Sequence, residues 1–205
     1  MAKAKHTIRI ISGTHRSRRV PVLAISGLRP TGDRLREVLF NWLQLDIAGK
    51  NILDLCAGSG ALGFEAASRG AKQVTMVELN PQAAKQLLQV TSDFNFNNIQ
   101  IINQRAQSYL SNTVRKFDVV FLDPPFSSDL LHELTELVVP LIVAGGFLYR
   151  ESSSEQELIN LPANWNLYRQ KTASQVKIEL WQRMTQIAGE QYAKKIINRS
   201  LSRDF

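Results

Sequence analysis

The chain has 205 residues, of which 44% are hydrophobic and 21% are charged, a composition typical of a soluble globular protein. Its formal net charge of +7 makes nucleic acid the first partner to consider. The single cysteine excludes an internal disulfide, and the three histidines stand far apart in sequence, so we expect no metal site. Because no apolar segment is long enough to cross a membrane, we expect a cytoplasmic protein without a membrane partner.

The positive charge is concentrated at the two ends of the chain. Residues 1–40 contain nine Lys and Arg against two acidic residues, whereas residues 41–182 contain 11 basic and 14 acidic residues. Residues 183–205 are basic again, with five basic and two acidic residues. A basic arm on a slightly acidic body is typical of a protein whose arm contacts phosphates, although a solvated basic surface is the alternative.

Two short strands are predicted near the beginning of the chain, at residues 8–11 and 20–22. The turn between them carries Arg16, Arg18 and Arg19, and the pattern predicts a β-hairpin with arginine at its tip. We interpret this hairpin as a candidate nucleic-acid-binding element.

A helix is predicted after Thr31, which is a suitable N-cap. Its apolar side chains share one face, namely Leu35, Val38, Leu39, Trp42 and Leu43.

A short apolar strand at residues 52–55 is followed by a glycine-rich loop, Ala57-Gly58-Ser59-Gly60, and then by a helix. Glycines in such a loop let the backbone approach a ligand closely, and Gly63 would let the helix pack near the strand. The same Gly-x-Gly-x-x-Gly spacing also fits a dinucleotide-binding loop.

Two acids distinguish the possible ligands of this loop. Asp54, at the end of the strand, suits a ligand with a cationic amino group rather than a pyrophosphate, and S-adenosylmethionine carries such a group. The next strand ends at Glu78-Leu79, where Glu78 is placed to accept hydrogen bonds from ribose hydroxyls.

The segment Asp123-Pro124-Pro125-Phe126 follows an apolar run at residues 119–122 that predicts a buried strand. A nucleobase amine is a poor nucleophile, and two acceptors that each take one N–H hydrogen would leave its lone pair directed at an electrophile. Asp123 offers a carboxylate, and Pro124 offers only a carbonyl. Phe126 would stack on the flat base. A strand end followed by a proline-rich turn is the structural alternative.

From residue 51 onward, predicted strands alternate with helices at residues 60–69, 81–94 and 127–137. This order predicts an α/β fold with a mostly parallel sheet, helices on both faces, and ligands beyond the carboxyl ends of the strands. Residues 147–150 predict a further strand, and residues 176–181 predict a half-buried edge strand.

The chain resembles the RsmD family of bacterial 16S ribosomal RNA guanine-N2 methyltransferases, class I enzymes that use S-adenosylmethionine. The resemblance runs from about residue 7 to about residue 183. It is carried by the glycine loop, by Asp123-Pro124-Pro125-Phe126, and by Ile8-Arg9-Ile10-Ile11-Ser12-Gly13, Arg16-Ser17-Arg18-Arg19-Val20-Pro21, the run from Gly27 to Glu37, Phe40-Asn41-Trp42-Leu43, Pro162-Ala163-Asn164-Trp165 and Gln175-Val176.

The resemblance implies a Rossmann-like methyltransferase fold with an N-terminal β-hairpin. It implies that the substrate is the N2 amine of the guanine conventionally numbered 966 in 16S ribosomal RNA, either naked or in a partly assembled small subunit. It also places Thr31, Asp33 and Arg34 close to cofactor and substrate. We therefore expect three parts: a basic arm at residues 1–30, a methyltransferase domain at residues 31–183, and a tail at residues 184–205.

Two features depart from the family pattern. Many class I enzymes have an acid or its amide after the fourth strand to meet the adenine amine, but here Arg105-Ala106 follows, and Arg105 cannot accept a hydrogen bond. The adenine contact then depends on the backbone near Ala106 or on Asn103. The tail has apolar residues at helix-compatible spacing, and packing, dimerisation and disorder are its open alternatives.

Three other functions fit parts of the pattern. An adenine-N6 methyltransferase acting on DNA or RNA would use the same aspartate and proline. An NAD-dependent oxidoreductase would use only the glycine loop and would not bind S-adenosylmethionine. A non-catalytic RNA-binding assembly factor would bind RNA without methyl transfer.

Overall fold

The computed structural model describes residues 6–23, 33–125 and 130–185. None of the helices in these ranges is both long and apolar enough to span a membrane. The predicted N-cap Thr31, the aromatic Phe126 and the tail beyond residue 185 lie outside the described residues.

Within the described residues, nine strands form two sheets. The first sheet is an antiparallel hairpin, and the second has seven strands in the order β5-β4-β3-β6-β7-β9-β8. Strands β3 to β7 run parallel to one another, and β9 is antiparallel to both β7 and β8. The strands are β1 (His6–Arg9), β2 (Arg19–Val22), β3 (Asn51–Asp54), β4 (Gln73–Glu78), β5 (Ile99–Asn103), β6 (Phe117–Leu122), β7 (Ile142–Ser153), β8 (Trp165–Ala173) and β9 (Val176–Arg183).

Helices cover both faces of the large sheet. One hydrophobic core contains apolar side chains of the hairpin and of α1, α2 and α3, and the core on the other face contains side chains of α4 and α5. The predicted mostly parallel sheet with helices on both faces is confirmed, as is the hairpin. The helices are α1 (Asp33–Trp42), α2 (Ala61–Ser68), α3 (Pro81–Asp93), α4 (Ala106–Asn112) and α5 (Leu130–Val138), with a 3-10 turn at Val139–Leu141.

The prediction that residues 176–181 form an edge strand is wrong. Strand β9 lies between β7 and β8, and β8 is the edge strand. The alternation of apolar and polar residues in β9 has another cause: Ile178 and Leu180 enter the first core, while Glu179 is buried on the other face in an ion pair with Arg150, 2.6 Å away. Strand β8 was not predicted, because most of its side chains are polar or exposed.

Helix α1 is buried on more than the single predicted face. Leu35, Leu39 and Leu43 are buried as predicted, but Phe40 and Arg36 are also nearly inaccessible. The Phe40 ring packs edge-on against Phe121 of β6, with centroids 5.9 Å apart, and Arg36 donates a hydrogen bond of 2.6 Å to the carbonyl of Arg9 at the end of β1. The helix therefore lies between the sheet and the hairpin.

The hairpin is anchored to α2 by hydrogen bonds. Glu65, which is 1% exposed, accepts bonds from the backbone N–H groups of Ile11 (2.7 Å) and Ser12 (3.1 Å). The Ser68 carbonyl accepts a bond of 2.8 Å from the Thr14 N–H. Gly13 has φ +83°, and a Cβ atom there would lie 1.8 Å from the Ser68 carbonyl oxygen, so the close approach requires glycine.

This docking determines where the predicted RNA-binding arginines lie. The hairpin turn contacts the C-terminal end of α2, whereas the N-terminal end of α2 follows the glycine loop. An eight-residue helix is about 12 Å long, so Arg16 and Arg18 lie near the sheet edge opposite the glycine loop. Arg16, Arg18 and Arg19 are all exposed, and the Arg18 guanidinium lies 4.8 Å from the centre of the Phe94 ring.

Candidate active site

Three carboxylates lie at the carboxyl edge of the sheet. Asp54 is the last residue of β3, Glu78 is the last residue of β4, and Asp123 directly follows β6. These three strands are parallel neighbours in the order β4-β3-β6, so their carboxyl ends meet at the same edge. The structure thus brings together three acids that are far apart in sequence, at the edge where ligands bind in such sheets.

Asp54 is almost fully buried and connects β3 to the start of α2. It is 2% exposed, and its Oδ2 atom accepts a hydrogen bond of 2.9 Å from the Gly63 N–H. The pKa of Asp54 is raised to about 7: burial is the main cause, the Gly63 hydrogen bond opposes the shift, and the charges of Asp123 and Glu78 add to it. Asp54, the predicted cofactor acid, is therefore a buried carboxyl group close to two other carboxylates.

The glycine loop is held against β4 by Glu78. The Oε2 atom of Glu78 accepts a hydrogen bond of 2.7 Å from the Gly58 N–H, and Oε1 accepts one of 2.7 Å from the Asn80 N–H. Gly58 and Gly60 have φ of 53° and 78°, and a Cβ atom on Gly60 would lie 2.5 Å from the Phe64 ring. Each carboxylate oxygen can accept a second hydrogen bond, so Glu78 can still bind hydroxyl groups.

Of the remaining predicted cofactor residues, Ala57 and Ser59 belong to this loop and Leu79 directly follows Glu78. Ala57 is buried, Ser59 is half-buried, and Leu79, beside Glu78, presents an apolar side chain that is 59% exposed. Arg34, near the start of α1, is also exposed.

The end of β5 lies beside Glu78 and Leu79. The Asn103 side chain donates hydrogen bonds of 2.8 and 3.0 Å to the carbonyls of Glu78 and Leu79. Its own carbonyl oxygen is thus the polar atom that it can offer to a ligand. Arg105 is exposed, and Ala106 is the first residue of α4.

The segment after β6 continues along the same edge. Asp123 is half-buried, Pro124 is buried and Pro125 is exposed. Burial is the main cause of the raised pKa of both Asp54 and Glu151. The charge of Asp123 also raises both pKa values, because these acids lie near one another.

The charge at this edge favours a cationic ligand. Burial and the neighbouring acids raise the pKa of Asp54. The pKa of the Cys56 thiol is raised to about 12, mainly by burial and also by the charges of Asp54, Asp123 and Glu78. A positively charged group would relieve the repulsion among these carboxylates, whereas a pyrophosphate would increase it. The site therefore fits the sulfonium and ammonium groups of S-adenosylmethionine better than NAD. In the described ranges, no three His, Cys, Asp or Glu side chains are grouped to hold a metal ion.

Sequence reasoning missed two residues of this edge, Tyr149 and Glu151 on β7. The Tyr149 hydroxyl donates a buried hydrogen bond of 2.7 Å to Oε2 of Glu151. Because residues 147–150 were predicted to form a strand, the rule that identified the other acids at strand ends would also have identified Glu151.

We expect the stability of the ligand-free protein to fall as the pH rises through neutrality. Between the ordinary Asp54 value of 3.8 and about 7, the folded state holds a proton at this carboxyl that the unfolded state releases. Raising the pH from about 6 to about 8 should cost about 1 kcal/mol, or about 3 °C in melting temperature. Calorimetry of Asp54→Asn should show a smaller decrease, because the amide still accepts the Gly63 N–H but does not ionise. An undiminished decrease in the variant would contradict this assignment.

Strand order, glycine loop and strand-end acids together define a class I methyltransferase, an enzyme whose methyl donor is S-adenosylmethionine. The family model described as "Conserved hypothetical protein 95" matches residues 8–182. Ribosomal RNA small subunit methyltransferase D of Escherichia coli strain K12 is 41% identical over 192 residues, which cover 91% of this chain and 97% of that protein. The chain belongs to this family, the RsmD family.

Two further relatives agree with this assignment. The protein of the same name from Haemophilus influenzae is 42% identical over 185 residues, covering 87% of this chain and 95% of that protein. A solved structure described as a putative methyltransferase yhhF from Escherichia coli superposes with a TM-score of 0.82 at 40% identity, covering 88% of this chain and all of that one (100%).

Proposed function

We propose that this enzyme methylates the exocyclic N2 amine of a guanine in 16S ribosomal RNA during maturation of the small subunit, and that the guanine is the one conventionally numbered 966. The observation that carries the proposal is the position of Asp123 and Pro124 directly after β6, at the sheet edge that also holds Asp54 and Glu78. The names of the relatives support an RNA of the small subunit as the substrate.

S-adenosylmethionine, when bound, supplies an electrophilic methyl group on a sulfonium centre. Asp54 provides negative charge for its cationic end, and Glu78 offers acceptors to its ribose. Leu79 offers an apolar surface to the adenine ring. The other residues proposed to hold the cofactor are Ala57, Gly58, Ser59, Gly60, Arg105 and Ala106, together with Thr31 and with Arg34 near the start of α1.

Asp123 and the Pro124 carbonyl each accept one N–H of the target amine. This arrangement turns the nitrogen lone pair toward the methyl group, so the rate gain comes mainly from orientation. Pro125 and Phe126 complete the segment, and Phe126 stacks on the guanine. The base is extruded from its stack to reach the site, because an enzyme cannot normally act on a base inside a duplex.

The basic arm, residues 1–30, is proposed to bind RNA phosphates through Arg16, Arg18 and Arg19, while residues 31–183 form the methyltransferase domain. Because the hairpin turn contacts the far end of α2, these arginines would bind phosphates at a distance from the target guanine. The substrate is proposed to be 16S ribosomal RNA, either naked or in a partly assembled small subunit.

Replacing Arg16, Arg18 and Arg19 together with glutamine should weaken RNA binding and reduce its salt dependence. Each lost phosphate contact lowers the slope of log K against log salt by about 0.7–0.9, so we expect a decrease of about 2 to 3. The matched control replaces three basic residues on other surfaces, Arg115, Lys116 and Arg169, with glutamine. Binding isotherms at several salt concentrations measure both slopes. Equal slopes for the two variants would mean that the hairpin has a structural role and does not bind RNA phosphates.

The experiment that tests the proposed function is mass mapping of methylated nucleotides in 16S RNA from cells with and without this protein. We expect one N2-methylguanine to disappear with the protein and to return when the gene is restored. Loss of an N6-methyladenine would instead establish the adenine alternative. An unchanged methylation pattern would reject both activities on this RNA.

A further inference from the structure

A second buried carboxylate lies beside Asp123. In the pairing of β6 with β7, Phe121 is opposite Tyr149 and Leu122 is opposite Arg150. Asp123 directly follows β6, and continuing the register by one residue puts it opposite Glu151; the effect of the Asp123 charge on the pKa of Glu151 agrees with this placement. Because side chains two positions apart on a strand point to the same face, Asp123 and Glu151 lie on the face that carries Phe121 and Tyr149.

Glu151 is enclosed and held in place. It is 6% exposed, and Tyr149, which is fully buried, donates its hydroxyl hydrogen to Oε2 of Glu151 over 2.7 Å. On the neighbouring strand β9, the residue opposite Glu151 is the buried Ile178. One carboxylate oxygen of Glu151 is thus held by the neutral Tyr149 hydroxyl, beside the apolar Ile178. It lies at the sheet edge where the amine is proposed to bind.

Other charged groups belong to the elements around this pair. Asp54 and Glu78 lie at the same sheet edge, and the Arg36 guanidinium donates to the Arg9 carbonyl. In the described residues, the other charged side chains on elements packed over this face include Glu65 of α2 and Arg69 at its C-terminal end, which pair with each other, and Arg34 and Glu37 of α1, which are exposed. They also include Lys85 and Asp93 of α3, which are exposed, and Arg169 and Lys171 of β8, the register partners of Leu180 and Ile178.

We infer that Asp123 and Glu151 act as a carboxylate pair that receives the proton lost by the methylated amine, with Glu151 as a positioning residue behind Asp123. This inference rests on the proposed function. The step is a proton transfer: one N–H bond of the positively charged methylated amine breaks, its electron pair stays on nitrogen, and an O–H bond forms on Asp123. The pair shares this proton before releasing it to water.

The electrostatics of the pair support this role. The pKa of Glu151 is raised to about 7: burial is the main cause, the charge of Asp123 adds to the shift, and the Tyr149 hydrogen bond opposes it. Two adjacent carboxylates cannot both ionise as easily as one alone, so the pair keeps a proton at a pH where a single carboxylate has lost it.

The test combines a titration of the ligand-free protein with a pH–rate profile for Glu151→Gln. In the wild type, NMR of carbon-13-labelled carboxyl groups should show a glutamate titrating near pH 7, and this signal should be absent in the variant. With 16S RNA as substrate, the acid limb of the methylation profile should move to lower pH by at least about one unit in Glu151→Gln, because Asp123 no longer has a charged neighbour. The control Glu136→Gln removes an equal charge from the exposed surface of α5 and should change neither result.

Tyr149→Phe provides a second test that does not depend on whether Glu151→Gln folds. Loss of the hydroxyl donor should move the glutamate titration to higher pH, because that hydrogen bond favours the ionised form. The proposed carboxylate pair is rejected if the acid limb of the pH–rate profile stays in place in Glu151→Gln. It is also rejected if the glutamate titration does not move in Tyr149→Phe. If wild-type protein methylates no site in 16S RNA, the proposed function fails, while the titration still reports on the carboxylates.

Discussion

Asp123→Ala should lose methylation activity while keeping most of its affinity for S-adenosylmethionine. The carboxylate is proposed to orient the amine, and a misplaced nucleophile loses at least about 100-fold in rate. The cofactor is instead proposed to be held by Asp54, Glu78 and the glycine loop, which the substitution leaves in place. Single-turnover methylation of 16S RNA measures the rate, and calorimetric titration measures cofactor affinity.

The comparison variant is Glu136→Ala, which removes one negative charge from the exposed surface of α5. It should retain wild-type rate and affinity. If Asp123→Ala methylates at the wild-type rate, the amine-orienting role is rejected. If instead its cofactor affinity falls as far as its rate, Asp123 belongs to the cofactor site.

Glu65→Ala should destabilise the docking of the hairpin on α2. The substitution removes the acceptor of the Ile11 and Ser12 N–H groups and leaves Arg69, whose Nε lies 2.7 Å from Glu65, without this partner. Leaving such groups unpaired at a buried site costs about 3 kcal/mol in the free energy of unfolding. Urea denaturation gives the total loss, and hydrogen exchange at Ile11 and Ser12 shows whether the hairpin opens first.

Glu65→Gln keeps one acceptor oxygen and should lose less stability than Glu65→Ala. Replacing the exposed Glu136 with alanine should stay within about 0.5 kcal/mol of the wild type. A Glu65→Ala variant as stable as the Glu136→Ala control would mean that the hydrogen bonds to Ile11 and Ser12 do not hold the hairpin.

The grouping of Asp54, Glu78 and Asp123 at one edge of the sheet was predictable from sequence, because each of these acids follows an apolar run. A buried parallel strand needs such a run, and its carboxyl end lies at the ligand-binding edge, so Asp54, Glu78 and Asp123 could be placed together before any coordinates. The short polar helix α4 and the mostly polar strand β8 have no comparable periodicity. They form because neighbouring elements cover one side of each, a tertiary effect that local patterns do not record.

The docking of the hairpin could not be predicted for a different reason. Glu65 and Ile11 are 54 residues apart, and no periodic signal connects them. In sequence, Glu65 is an ordinary helical acid that forms an (i, i+4) pair with Arg69. The hairpin itself was predictable from local turn chemistry. The position of its arginines relative to the sheet was not, because it depends on this long-range contact.

Helix α2 has a consequence for how the enzyme would select its target. One end of this rigid rod starts at the cofactor loop, and the other end fixes the arginine turn, so the span between them cannot adjust. We expect the enzyme to behave as a molecular ruler, accepting an RNA whose phosphates lie at a set interval from the flipped base and rejecting the same base in a fold of different dimensions.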